Sequence, residues 1–246
     1  MPQIEVDAHK LFYRSHGAAS PGRGQNALIL VHGAGGTLMN WPPGIRRLPD
    51  RSVYAIDLPG HGRSSGPGLE SIPDYLDALL GFADALDLPR FTLAGHSMGS
   101  AIAIEMALRH PERLAGIVLI GAGARLSVNP SILTGLREQY EETCAWLVKQ
   151  LFGPESDRRL PIGYLRYLSL LNQSLLYGDF LACDAFDRTD QISSIRTPAL
   201  IICGEDDRMT PPAASRFLHK QIVGSRLELI DNAGNMVMLE KPQTVA

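Results

Sequence analysis

The apolar positions of this chain follow different periods along its length. Residues 4–7 and 11–16 are short and alternating, the pattern of a hairpin with one buried face. Residues 27–32 are a continuous apolar run closed by glycines, as expected of a strand buried on both faces. Residues 53–57, 91–95 and 114–120 repeat that pattern. Between them, residues 71–86 place Ile72, Leu76, Leu79, Ala83 and Leu86 on one face at helical spacing. Residues 98–109 read as a helix stopped by Pro111. Strand and helix alternate, which predicts an α/β fold: a parallel sheet covered by helices on both faces.

The rhythm stops after residue 122. Leu133, Leu136, Tyr140, Cys144, Leu147 and Leu151 recur at helical spacing through 131–152, and Tyr164, Leu168, Leu171 and Leu175 do so through 161–177. A helical insertion over 123–192 is expected, dividing a core made of 1–122 and 193–246. Sheet chemistry resumes at 198–204 and 226–230, with a helix at 212–221 between them. Lys241-Pro242 sets up a last helix start, so a final helix is expected to be very short or to lie beyond the sequence.

Composition narrows the function classes. The chain has 246 residues, 45% hydrophobic and 20% charged, with net charge -3. That is a globular composition without the basic excess that nucleic acid or an anionic membrane attracts. The apolar runs are strand-sized, well short of the roughly 18 residues of a membrane span. The N-terminal MPQIEVDAHK lacks the apolar core of a secretory signal. Cys144, Cys183 and Cys203 are odd in number and widely spaced, which suggests neither a disulfide framework nor a metal site. A reduced, cytoplasmic protein, monomeric or homodimeric, is expected.

Gly95-His96-Ser97-Met98-Gly99 is G-x-S-x-G, set directly between a predicted strand and helix. A serine presented on so sharp a turn needs glycines beside it, because side chains there would clash. The following helix aims its N-terminal N–H groups at a developing oxyanion. Acyl transfer needs two such donors. Met98 N–H, after the serine, is one candidate. The other lies in the small, glycine-rich loop His32-Gly33-Ala34-Gly35-Gly36, with Ala34 N–H first and Gly35 next.

Five motifs in order carry a resemblance to the α/β-hydrolase superfamily over nearly the whole chain: HGAGG at 32–36, DLPGHGRS at 57–64, GHSMG at 95–99, GEDDRMTP at 204–211 and AGNMVMLEKP at 233–242. The resemblance implies a mostly parallel eight-stranded sheet with a helical cap inserted after strand six. It also implies a triad in the order Ser, acid, His. It puts the acid at Asp207, with Asp206 the alternative. It puts the base histidine at position 235, where this chain has Asn235.

An amide reaches about as far as an imidazole and hydrogen-bonds well, but it takes no proton near neutral pH. Among the histidines, His96 is expected to point away from Ser97. His61 and His32 are expected to brace their own turns, and His219 to lie far off on a helix. His9, His16 and His110 read as surface or strand-end residues. Three readings of Asn235 stay open: an active hydrolase carrying a deliberate His-to-Asn change, a natural binding protein built on a hydrolase pocket, or a relative using Ser97 and Asp207 in other chemistry.

Serine as nucleophile suggests acyl transfer, with carboxylic esters the broadest fit. The apolar insertion suggests a small hydrophobic ester, lined by Gly33, Gly35, Trp41, Trp146 and Met236, with Met98 a further wall. Hydrolases of C–C bonds in ring-cleavage products share the scaffold and need basic groups for a substrate carboxylate. Arg125, Arg166 and Arg188 are the candidates. Nothing in the sequence implies a metal or organic cofactor.

Overall fold

The computed structural model describes residues 2–7, 9–17, 27–49 and 51–246. The hairpin expected at the N-terminus is β1 (Gln3–Val6) and β2 (His9–His16), paired antiparallel. The apolar runs become β3 (Ala27–Val31), β4 (Ser52–Ile56), β5 (Phe91–His96), β6 (Leu114–Ile120), β7 (Ala199–Gly204) and β8 (Arg226–Ile230). They join the hairpin in one eight-stranded sheet of order β1-β2-β4-β3-β5-β6-β7-β8. β2 runs antiparallel to β4, and every pairing from β4 to β8 is parallel.

The continuous apolar runs are explained by two cores. In β3, Ile29 and Val31 enter one cluster, while Leu28 and Leu30 enter the other. β4 divides likewise, with Tyr54 and Ile56 on one face and Val53 and Ala55 on the opposite one. Successive side chains of a strand point to opposite faces, so a strand covered on both sides must be apolar at every position. Full burial of each Leu or Ile contributes roughly 1.5–3 kcal/mol.

The first core packs the sheet against α2 (Ile72–Ala85) and α3 (Met98–Arg109), with α8 (Pro212–Gln221) beside β7 and β8. Ser71 caps α2, its hydroxyl accepting from Asp74 N, with Pro73 in the first turn. The second core is covered by α1 (Pro43–Arg46), by the short α9 (Val237–Glu240), and by residues of four helices that follow β6. α10 (Pro242–Val245) is the short last helix.

Those four helices are α4 (Pro130–Glu138), α5 (Tyr140–Leu151), α6 (Arg159–Leu168) and α7 (Gln173–Asp184). The sequence pattern suggested two longer ones. The first expected helix breaks at Gln139, whose backbone leaves the helical region at φ -142°, ψ 56°. The chain folds back there, and Gly135 of α4 lies against Thr143 of α5 with no room for a Cβ. The second breaks over 169–172. Asn172 then starts α7, its side chain accepting from Ser174 N at 2.9 Å. α7 also runs to Asp184, seven residues past the expected end at Tyr177, and that extension matters below.

Glycines differ sharply in what they tolerate. A Cβ on Gly95 would run into the backbone of Gly99, whereas Gly163, inside α6, has nothing within 4 Å of such an atom. Gly95→Ala is therefore expected to cost about 3 kcal/mol or more by overpacking. Gly163→Ala is expected to stabilise by about 0.5–1 kcal/mol through helix propensity. Denaturant midpoints of the two variants would check both signs.

Candidate active site

Ser97 sits between β5 and α3 with φ 51° and ψ -112°, a left-handed backbone that a side-chain-bearing residue adopts at a cost. The surroundings hold it there. Ser97 N donates to Ile120 O at 2.8 Å, and Ser97 O accepts from Ser100 N at 2.8 Å and Ala101 N at 3.2 Å. A Cβ on Gly99 would lie 2.5 Å from Val31 O, so only glycine lets the start of α3 pass beside the end of β3. Among the described residues, Ser97 Oγ has no hydrogen-bond partner.

The loop after β3 makes a turn in which Gly36 N donates to Gly33 O at 3.0 Å, with Gly35 at φ +62°. His32 braces it from below, as expected: Nδ1 faces Gly33 O at 2.8 Å and Nε2 accepts from Leu58 N at 3.1 Å. Gly35 N is committed to Asp179 Oδ2 at 2.6 Å. Ala34 N has no protein acceptor among the described residues. Met98, first in its helix, has no carbonyl a turn behind it to receive its N–H. Of the two loop donors expected from sequence, the geometry leaves Ala34 uncommitted.

Asp207 follows β7 and is 3% exposed. Its Oδ1 accepts from Met209 N at 2.9 Å and Thr210 N at 2.8 Å, and its Oδ2 from Thr210 Oγ1 at 2.8 Å. Burial pushes its pKa up, and the Thr210 and Asn235 hydrogen bonds work against that rise. Asp206 is only half-buried and donates its backbone N–H to Ala233 O at 2.9 Å.

Asn235 is fully buried. Its Nδ2 donates to Asp207 Oδ2 at 2.9 Å and Thr210 Oγ1 at 3.0 Å. Its Oδ1 accepts from His96 Nε2 at 2.9 Å. The loop carrying it is fixed by Glu240, which accepts from Gly234 N and Gly153 N, both at 2.9 Å. Met236 N donates to Leu151 O at 3.1 Å, tying the loop to the end of α5.

His96 departs from expectation. Its ring does not turn away from the site but lines the same cavity as Ser97 and Asn235. Both groups facing Nε2 are acceptors, Asn235 Oδ1 and Asn235 O, so the proton sits there. Nδ1 is then a bare lone pair, buried and without a partner. It abuts Gly33, where a Cβ would come within 2.8 Å of it. Burial pulls the His96 pKa down to about 4, and burial with the neighbouring His61 lowers that of His32 well below normal.

The cavity is about 360 Å³ and opens between the strand ends and α4–α7. Of the substrate-contact residues expected from sequence, Trp146 and Met236 line it. Trp41 does not: it is 1% exposed and packs in the second core with Leu30 and Ile45. Gly33 and Gly35 lie behind Ala34 rather than on the wall, and the Met98 side chain is buried in the first core. Sequence reading missed Leu176 and Phe180 on the wall, and Phe180 lies in the part of α7 that extends past Tyr177. Of the three arginines, Arg125 reaches the cavity, whereas Arg166 does not and Arg188 pairs with Glu105 at 2.6 Å. Arg208, unanticipated, lies at the rim.

The comparisons agree with this architecture. A model described as the alpha/beta hydrolase family matches residues 28–246. The 2-hydroxy-6-oxo-2,4-heptadienoate hydrolase of Pseudomonas putida is 31% identical over 88% of this chain and 84% of its own. A pimeloyl-[acyl-carrier protein] methyl ester esterase of Neisseria meningitidis is 29% identical over 89% of each. The solved structure of a thermophilic esterase is 30% identical, covers 99% of this chain and 93% of its own, and superposes with a TM-score of 0.85. With its sheet order, its left-handed serine between β5 and α3 and the family model spanning it, the chain belongs to the alpha/beta hydrolase family.

Proposed function

We propose that this protein is a serine hydrolase of small hydrophobic carboxylic esters, with Ser97 as nucleophile, Asp207 as the triad acid and Asn235 in the place of the base. The observation that carries the reading is the contact of Asn235 Nδ2 with Asp207 Oδ2 at 2.9 Å, beside the cavity that Ser97 faces. A histidine at 235 would offer one ring nitrogen to Asp207 and the other to the serine. Ser97 Oγ would lose its proton to that ring as it attacks the ester carbonyl. Ala34 N–H and Met98 N–H would hold the oxyanion. The ring would then protonate the departing alcohol, and water would release the acyl group by the same steps. Residues 123–192 act as the cap, over a core of 1–122 and 193–246. The esterases among the relatives support an ester, and the apolar cap wall of Leu126, Leu147, Leu168 and Phe180 supports a hydrophobic one. Three buried, unpaired cysteines suit a reduced cytoplasmic setting. No helix among the described residues is long and apolar enough to cross a membrane.

With asparagine at 235 the proton has nowhere to go. The His96 ring contacts Asn235, but burial makes it a poor base and its protonated nitrogen is held by Asn235. Loss of the base in a serine hydrolase costs on the order of 10⁶ in kcat. A second reading, cleavage of a C–C bond next to a carboxylate-bearing chain, is favoured by Arg125 and Arg208 at the cavity and by the 31% identical relative. It predicts that a restored base accelerates vinylogous diketo acids more than simple esters.

Asn235→His is expected to raise hydrolysis of p-nitrophenyl butyrate by ~10³ or more, and adding Ser97→Ala is expected to remove the gain. Equal rates with Asn and His at 235 would overturn the base assignment. Inactivity of both on esters and on diketo acids would leave a binding role, to be pursued by ligand screening.

His96, like His32, makes the fold sensitive to acid. The folded pKa of His96, about 4, lies below the ordinary imidazole value of 6.5, so the unfolded chain binds the proton more readily. Its contribution is complete above about pH 6.5 and is lost as pH falls toward 4. Urea midpoints at pH 7 and pH 5 should therefore differ less for His96→Gln than for the parent.

A further inference from the structure

Asp179 lies on α7 and is completely buried. Its Oδ2 accepts from Gly35 N at 2.6 Å and from His61 Nε2 at 2.8 Å, and its Oδ1 accepts from Tyr75 OH at 2.6 Å. One carboxylate thus gathers three groups far apart in sequence: the loop after β3, the turn after β4 and helix α2. His61 Nδ1 faces Pro59 O at 2.9 Å, so both of its nitrogens point at acceptors and the ring must carry both protons to satisfy them. Its pKa is raised accordingly: burial pulls it down, and the charge and hydrogen bond of Asp179 outweigh that pull. The His32 ring packs on His61 at 4.7 Å between centroids. A buried ion pair of this kind is weak evidence for stability by itself, because desolvation offsets much of its attraction. Its position suggests another use.

Gly35 N belongs to the Ala34–Gly35 peptide, the middle of the turn that carries Ala34. Without a fixed acceptor that peptide could flip, since Gly35 has no side chain to resist it. We propose that Asp179 is a positioning residue for the oxyanion donor: it locks the Ala34–Gly35 peptide so that Ala34 N–H stays uncommitted beside Ser97. The same helix sets the cavity wall through Leu176 and Phe180, three residues before and one after Asp179. A Cβ on Gly35 would also press on Leu176 at 2.6 Å. The substrate wall and the lock on the oxyanion loop are therefore one rigid element, so a displaced α7 would lose both together.

This inference rests on the hydrolase reading, and the experiment separates the two. In the Asn235→His protein, Asp179→Asn and Asp179→Ala are compared with Tyr75→Phe, which removes one strut from the same carboxylate but leaves Gly35 tied. The expected result for Asp179→Ala is a kcat loss on the order of 10², the size of losing one oxyanion donor, with KM within about threefold. A matching weakening of inhibition by an alkyl boronic acid is expected, because only the tetrahedral adduct uses the donor. Asp179→Asn should lie between, and serves if the alanine variant does not fold. Tyr75→Phe should lose stability but keep kcat. In the chain as written, hydrogen exchange across 33–36 should quicken in Asp179→Asn and not in Tyr75→Phe. Unchanged kcat, boronate affinity and exchange in a folded Asp179 variant would overturn the proposal. An inactive Asn235→His parent would count against the hydrolase reading alone, and the exchange measurement would still decide the lock.

Discussion

The backbone of Ser97 is the constraint on which the rest depends. A residue with a side chain is held at φ 51° between a parallel strand and a helix. That conformation persists only because its surroundings over-determine it. The strand ends must come close enough for Gly99 to touch the backbone of Val31 and His32, and for Gly95 to touch Gly99. A Cβ at either glycine would push them apart. The hydroxyl is then presented at the end of the sheet, where the loops after β3, β7 and β8 converge. Each of those loops carries one further element of the site.

Convergence of loops creates a second problem, the burial of polar groups, and carboxylates solve it. Asp57 holds the turn after β4 by accepting from Leu38 N at 2.7 Å and Arg63 N at 3.0 Å. Asp179 holds the loop after β3, and Asp207 the loop after β7. In each case a buried carboxylate accepts mainly from backbone or neutral groups, which compensates its lost hydration. The three work on neighbouring turns, and two of them meet through His61, which lies near Asp57 and bonds Asp179. The helices that follow β6 are fastened to this framework by Asp179 on α7 and by Glu240, which reaches Gly153 beyond α5.

Asn235 fits the same logic. Its amide donates to Asp207 and Thr210 and accepts from His96, so its polar atoms are satisfied in a fully buried position. An amide there ties Asp207 into the site but takes no proton near neutral pH. Glu240 and Thr210 hold the loops that carry Asn235 and Asp207, so the amide meets the carboxylate from a fixed position.

The sequence by itself determined the sheet. β3 through β8 all fall within a residue or two of their expected bounds, and for β3 to β7 the reason is that strands covered on both faces must be largely apolar. It also carried the short local motifs on which the serine turn, the proposed acid Asp207 and the place of Asn235 rest. Only the tertiary structure decided where α4 ends, where α7 ends, which way His96 turns, and that Trp41 belongs to the core. Those outcomes rest on contacts between distant residues: Gly135 against Thr143, His96 with Asn235, Asp179 with Gly35. Local pattern reports a residue's preference for helix, strand or burial. It carries no record of which buried polar group, a hundred residues away, a side chain will satisfy.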